Sequence, residues 1–219
     1  MKITPIGVRG SVPAQGKATS CYLIEGASGR IVIDLGSGAL TELLKVVDPR
    51  AVDAFVLTHL HYDHSVDALM LSHFAGRFVV YTPSSPSDRF SLLKARRNLD
   101  IRVISGSSFA EVGGMRIDFL RTEHDPECYA VRIAEGDKSF VYTSDTKYFD
   151  RLRLFCSRAS LVFADCASHG GPHMIPSDGA LLKADGTRVI ATHIMPDFDI
   201  SELGRVGLEV AEPFVSTEI

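Results

Sequence analysis

The sequence predicts a layered α/β fold in which sheets are covered by helices. Two observations carry that expectation. The chain begins with a meander of short β-like runs, and it then mixes further strands with helical patterns. A third observation concerns organisation: there is no linker, fixed-period repeat or low-complexity tract, so residues 1–219 read as a single domain.

Strands are expected over residues 2–8, 21–26 and 30–34, where Gly-containing turns suit antiparallel hairpins. A helix is expected over 39–47 and a strand over 53–58. A second helix is expected over 66–75, because Val66, Leu69, Met70 and Phe74 fall at helical spacing on one face. His73 falls on that apolar face as a core-edge histidine, and Asp67 reads as a solvated residue in the first turn. A strand over 78–82 runs into the densest turn region, Thr82-Pro-Ser-Ser-Pro-Ser-Asp88, and a helix over 88–98 follows. Lys94, Arg96 and Arg97 form its solvated face. Strands are then expected over 101–104, 115–121, 128–134, 138–143, 160–164 and 188–192, with helices over 147–156 and 177–184.

Composition narrows the function classes. A chain of 219 residues that is 45% hydrophobic can bury a substantial core. A formal net charge of −4 argues against a broadly basic nucleic-acid-binding surface. Cys21, Cys128, Cys156 and Cys166 form no CxxC pair, so they read as small buried thiols. The first ten residues lack the apolar region of a signal peptide, and no run of about 18 apolar residues occurs. A cytoplasmic protein with no membrane segment is the expectation.

One constellation stands out. His59, His61, Asp63 and His64 lie within Thr58-His-Leu-His-Tyr-Asp-His64, at a spacing suited to a loop. Imidazole nitrogens and a carboxylate oxygen suit Zn²⁺ and related first-row ions. Four β-like runs end in Thr and are followed within two residues by a potential ligand. Thr58 precedes His59, Thr122 stands before His124, Thr143 before Asp145, and Thr192 before His193. Loops at one end of packed sheets can bring such residues together. The set His59, His61, Asp63, His64, His124, Asp145 and His193 exceeds the four ligands of one tetrahedral zinc. It suits two metals that share a bridging carboxylate and a bridging hydroxide.

These residues, in this order, resemble the metallo-β-lactamase superfamily, whose fold is a four-layer αββα sandwich of two mixed sheets flanked by helices. Gly7-Val-Arg-Gly-Ser-Val-Pro13, Asp34-Leu-Gly-Ser-Gly38 and His173-Met-Ile-Pro-Ser177 are similar to segments of its ribonuclease Z-like branch, especially to compact bacterial metal-dependent hydrolases. The resemblance implies that His59, His61 and His124 hold one metal, that Asp63, His64 and His193 hold the other, and that Asp145 bridges. It implies a bridging hydroxide as nucleophile, oriented by Asp63, with His173 stabilising developing charge or protonating the leaving oxygen. Asp34 is implied to be supportive and not a ligand. The cofactors implied are two Zn²⁺ ions, though Mn²⁺ or Fe can occupy such sites.

The expected activity is hydrolysis of a small-molecule or short nucleotide phosphodiester. Transfer RNA is disfavoured, because no arm-like insert lies between His124 and His193. A thioester, lactone or other carboxylic ester on the same centre is the second reading, and a non-catalytic metal-binding protein the third. A homodimer is the family-level expectation. Three residues keep two readings each: Asp165 as a buttress of a metal-binding His or a plain strand-end residue, His169 at the pocket mouth or in an ordinary loop, and Tyr129 against substrate or in the core.

Overall fold

The computed structural model describes residues 1–183 and 186–219. The first sheet opens with an antiparallel set, β1 (Lys2–Gly7), β2 (Cys21–Glu25) and β3 (Arg30–Ile33), and continues in parallel with β4 (Ala54–Val56), β5 (Phe78–Thr82) and β6 (Leu99–Val103). The second repeats that plan. β7 (Phe109–Val112), β8 (Met115–Arg121), β9 (Tyr129–Glu135) and β10 (Lys138–Tyr142) are antiparallel neighbours; β11 (Leu161–Asp165), β12 (Arg188–Thr192) and β13 (Glu209–Val210) follow in parallel. β14 (Thr217–Glu218) returns to pair with β1, so each sheet has seven strands among the described residues.

The strand sequences explain this plan. β11, Leu-Val-Phe-Ala-Asp, is buried throughout, as a parallel strand covered on both faces must be. Most positions of β8 instead alternate between buried and open. In β3, Ile31 and Ile33 face the core between the sheets, whereas Val32 faces an outer core under helices; Tyr22, Ile24 and Leu23 of β2 divide the same way. Tyr22 ties the layers together. Its ring centroid lies 4.6 Å from that of Tyr142 and 5.6 Å from that of Phe163. The two mixed sheets flanked by helices are the fold that the family resemblance implied.

The helices are α1 (Ala39–Leu43), α2 (Tyr62–Ser65), α3 (Ser87–Lys94), α4 (Asp150–Cys156), α5 (Pro176–Leu181) and α6 (Ser201–Arg205). The helix expected over 66–75 differs from its sequence pattern. Residues Val66–His73 form a 3₁₀ segment that follows the single turn of α2. At three residues per turn the buried face changes. Ala68 and Leu71 point inward, while Met70 and His73 are exposed. Asp67 is not solvated either: its carboxylate accepts the backbone N–H of Leu40 at 3.0 Å, at the start of α1. The expected 39–47 and 88–98 helices end early, at Leu43 and Lys94, and 147–156 starts late, at Asp150. The end of the 177–184 expectation lies outside the described residues. β7, α6, β13 and β14 carried too little periodicity to be read. All four cysteines are free and buried. No described helix is long and apolar enough to cross a membrane.

Candidate metal centre

The four threonines that end β-like runs act as anchors where the chain leaves the sheets. Thr58 donates its backbone N–H to Asp34 Oδ1 at 2.8 Å, and its hydroxyl reaches the same carboxylate at 3.0 Å. Thr122 Oγ1 donates to the Asp145 carbonyl at 3.0 Å. Thr143 Oγ1 accepts the Asp165 N–H at 2.9 Å, and Thr192 Oγ1 meets the Tyr22 hydroxyl at 2.7 Å. The turns beyond are sharp. Asp34, Ser144 and His193 adopt left-handed backbone with φ of 58°, 51° and 54°. Such conformations cost of order 1–3 kcal/mol each and persist where surrounding contacts hold them. Two glycines permit close approach. A Cβ on Gly10 would lie 2.8 Å from the His193 ring, and one on Gly36 would overlap the Asp63 carbonyl.

Their loops bring all seven candidate side chains together in two groups. In the first, His59 Nε2 lies 3.0 Å from His61 Nδ1, which lies 3.4 Å from His124 Nε2. In the second, His193 Nε2 lies 3.2 Å from His64 Nε2 and 3.3 Å from Asp63 Oδ2. Asp145 stands between them. Its Oδ2 faces His59 at 3.7 Å and His124 at 3.9 Å, and its Oδ1 faces His64 at 3.2 Å and His193 at 3.5 Å. The motif is a loop only up to His61. Asp63 and His64 belong to the turn of α2, where the positive end of the backbone favours an ionised carboxylate.

These residues fit a metal. Nitrogens held about 2.0–2.1 Å from zinc in a tetrahedron are roughly 3.3 Å apart, close to the nitrogen separations here. Asp145 Oδ1 is buried without a hydrogen-bond partner, an arrangement a bound cation relieves. Around the second group the outer ring nitrogens are held by carboxylates. His64 Nδ1 donates to Asp34 at 2.7 Å and His193 Nδ1 to Asp165 at 3.2 Å, which leaves each Nε2 free to bind a metal. Around the first group, among the described residues, His59 Nδ1 meets only the Thr58 hydroxyl at 3.2 Å, and His124 Nδ1 has no partner.

Electrostatics follow the same division. Burial, reinforced by neighbouring imidazoles, holds His59, His61 and His124 below the ordinary imidazole range. Burial pushes His64 and His193 the same way, but carboxylates outweigh it. Asp145, Asp63 and Asp34 keep His64 well above that range, and Asp145 with Asp165 raises His193 to about 10. Asp63 and Asp145 resist the upward push of burial, because the surrounding histidines hold both below the usual carboxylate range.

The two candidate groups open into a cleft of ≈ 360 Å³ lined also by Ser11, Tyr62, Arg89, Asp125, Pro172 and His173. His173 Nδ1 donates to Asp165 Oδ2 at 2.8 Å, so Asp165 steadies two histidines at once. His169 lies outside this cleft, exposed and 5.3 Å from the Phe198 ring. Tyr129 is buried, and its hydroxyl donates to Glu127 at 2.6 Å. Arg89, Tyr62 and Ser11 were missed. Tyr62 occupies an unassigned place inside the motif, and no local pattern marks Arg89, which follows the Pro- and Ser-rich turn. Ser11 contributes its backbone N–H to Asp63 Oδ2 at 2.8 Å, a contact that residue type does not encode.

Residues 29–194 match the Beta-lactamase superfamily domain. The chain belongs to that family. It is 29% identical over 220 residues to the probable metallo-hydrolase YhfI of Bacillus subtilis (strain 168), covering 92% of this chain and 90% of that one. The crystal structure of YhfI superposes with a TM-score of 0.93 at 25% identity, covering 100% and 99% of the two chains. Ribonuclease Z of Methanopyrus kandleri is 27% identical over 153 residues, which cover 67% of this chain and 54% of that protein. The chain therefore spans about half the length of that relative. A diphosphatase of the PhnP family shares the fold at a TM-score of 0.79 and 16% identity, covering 100% and 97%. Family and histidine–aspartate cluster together make the chain a metal-dependent hydrolase of the β-lactamase fold.

Proposed function

We propose that this hydrolase is a binuclear phosphodiesterase acting on a small-molecule or short nucleotide phosphodiester. The observation that carries the reading is Asp145, whose two oxygens face two separate ligand groups. His59, His61 and His124 would hold one ion, Asp63, His64 and His193 the other, with Zn²⁺ favoured by the nitrogen-rich donors. When bound, such a pair supplies Lewis acidity and an activated water.

The chain's own residues supply the rest. Asp63 Oδ2, fixed by the Ser11 N–H, orients the attacking water. His173 is the proton donor to the leaving oxygen. Burial opposes its protonation, but the hydrogen bond and charge of Asp165 raise its pKa above the ordinary imidazole value, which suits an acid. With Nδ1 committed to Asp165, Nε2 is the ring atom left for the substrate. The ribonuclease Z and diphosphatase relatives support phosphoester chemistry over carboxylic-ester chemistry. The cleft volume and the net charge of −4 favour a compact substrate over transfer RNA.

A substrate panel on protein of measured metal content tests this. We expect about two metals per chain, turnover of bis(p-nitrophenyl) phosphate, and, for a dinucleotide whose alkoxide leaving group needs a proton, a kcat about 10²–10⁴-fold lower in His173→Ala. Full metal loading with thioester or lactone turnover and no phosphodiester turnover would sink the phosphoester assignment.

A further inference from the structure

We propose that Arg89 is an anion-binding residue at the rim of the cleft, selecting phosphodiesters that carry a second phosphate beside the scissile one. The proposal rests on the phosphodiesterase reading and adds to it a substrate class. Arg89 is the one Lys or Arg among the described residues lining the metal cleft. Its guanidinium sits over the Tyr62 ring at 4.5 Å, and Nη1 donates to the Leu60 carbonyl at 2.8 Å. These two contacts fix the fork in place with its stem half-buried.

A guanidinium has five N–H donors. Here one meets the Leu60 carbonyl, and no carboxylate lies in ion-pair contact among the described residues. A half-buried cation so under-satisfied is suited to an incoming anion. The position selects which anion. Asp145, between the two metal groups, lies at the cleft floor with 2% exposure, whereas Tyr62, beneath the guanidinium, is 55% exposed at the mouth. The scissile phosphate belongs at the floor. Arg89, stacked on that exposed ring, is assigned to a second charged group, a phosphate at the rim. Asp125 lines the same mouth and disfavours an anion that Arg89 does not grip.

The test compares two diesters on metal-loaded protein: thymidine 5′-(p-nitrophenyl phosphate), and the same compound with a 3′-phosphate. Arg89→Ala should raise KM for the doubly charged substrate about tenfold more than for the singly charged one. Arg89→Lys should recover part of that difference. Arg89→Gln serves the same comparison if Arg89→Ala melts early. An equal KM change for both substrates, or a loss confined to kcat with falling metal content, would overturn the proposal and leave Arg89 as a brace for the Leu60 segment. If the wild-type protein turns over neither diester, the phosphodiesterase reading fails by itself. Calorimetric binding of thymidine 3′,5′-bisphosphate then decides about Arg89. Binding about tenfold weaker in Arg89→Ala supports the anion site, and equal binding removes it.

Discussion

The two candidate ligand groups on either side of Asp145 are built differently. Asp63, His64 and His193 are backed by the buried carboxylates of Asp34 and Asp165, each accepting from the outer nitrogen of a histidine. Among the described residues, His59, His61 and His124 are backed by one threonine hydroxyl, and the outer nitrogen of His124 has no hydrogen-bond partner. A carboxylate behind an imidazole fixes its tautomer and raises its basicity, so it strengthens the bond to a metal. On the proposed two-metal reading, the difference teaches that a near-symmetric donor set would form two unequal sites. The carboxylate-braced site should be the tighter one, and the other the exchangeable one.

The largest effect should come from removing what both sites share. Asp145→Ala takes away the bridge, and we expect both metals to bind weakly and activity to fall about 10³-fold or more, in line with several kcal/mol of metal-derived stabilisation. Elemental analysis with a phosphodiesterase assay checks this; two metals retained with intact activity would break the bridging assignment. Next come the braces. Asp34→Asn or Asp165→Asn should weaken one site by about 10–100-fold. Calorimetric metal titration should show the other site unmoved, and loss of affinity at both sites would erase the distinction.

Graded chelation sharpens the comparison further. Limited dialysis against a chelator should leave a plateau at about one metal per chain, and in His124→Ala that plateau should be the starting state. Simultaneous loss of both metals would show the sites to be equivalent. The smallest effect is expected at Thr58, whose hydroxyl serves Asp34, His59 and Ser144 together. Thr58→Val should cost about 1–3 kcal/mol of stability by leaving polar partners unsatisfied. Thermal melting measures it, and an unchanged Tm would mean that the hydroxyl network adds nothing.

Much of this was legible in the chain. The apolar runs at 30–34 and 160–164 marked strands, whereas the covering of β3 on both faces and the parallel pairing of β11 came only with the structure. The clustering of His59 to His64 needed only residue chemistry. The 3₁₀ segment over Val66–His73 was not legible, because its apolar residues also fit a 3.6-residue period, and packing chose the tighter turn. Asp67 looked like a surface residue because nothing local shows that the start of α1 lies against it.

The sequence by itself named the side chains whose donor chemistry suits a metal, and the strand-ending threonines marked where they leave the sheets. Only the tertiary structure decided how the ligands divide. It set Asp145 between the groups, put Asp34 behind His64, and made Asp165 serve both His173 and His193. It also brought Arg89 to the cleft. The physical reason is range. Donor chemistry is a property of each side chain, whereas a brace or a rim cation depends on contacts between segments far apart in sequence, and those exist only once the two sheets have packed.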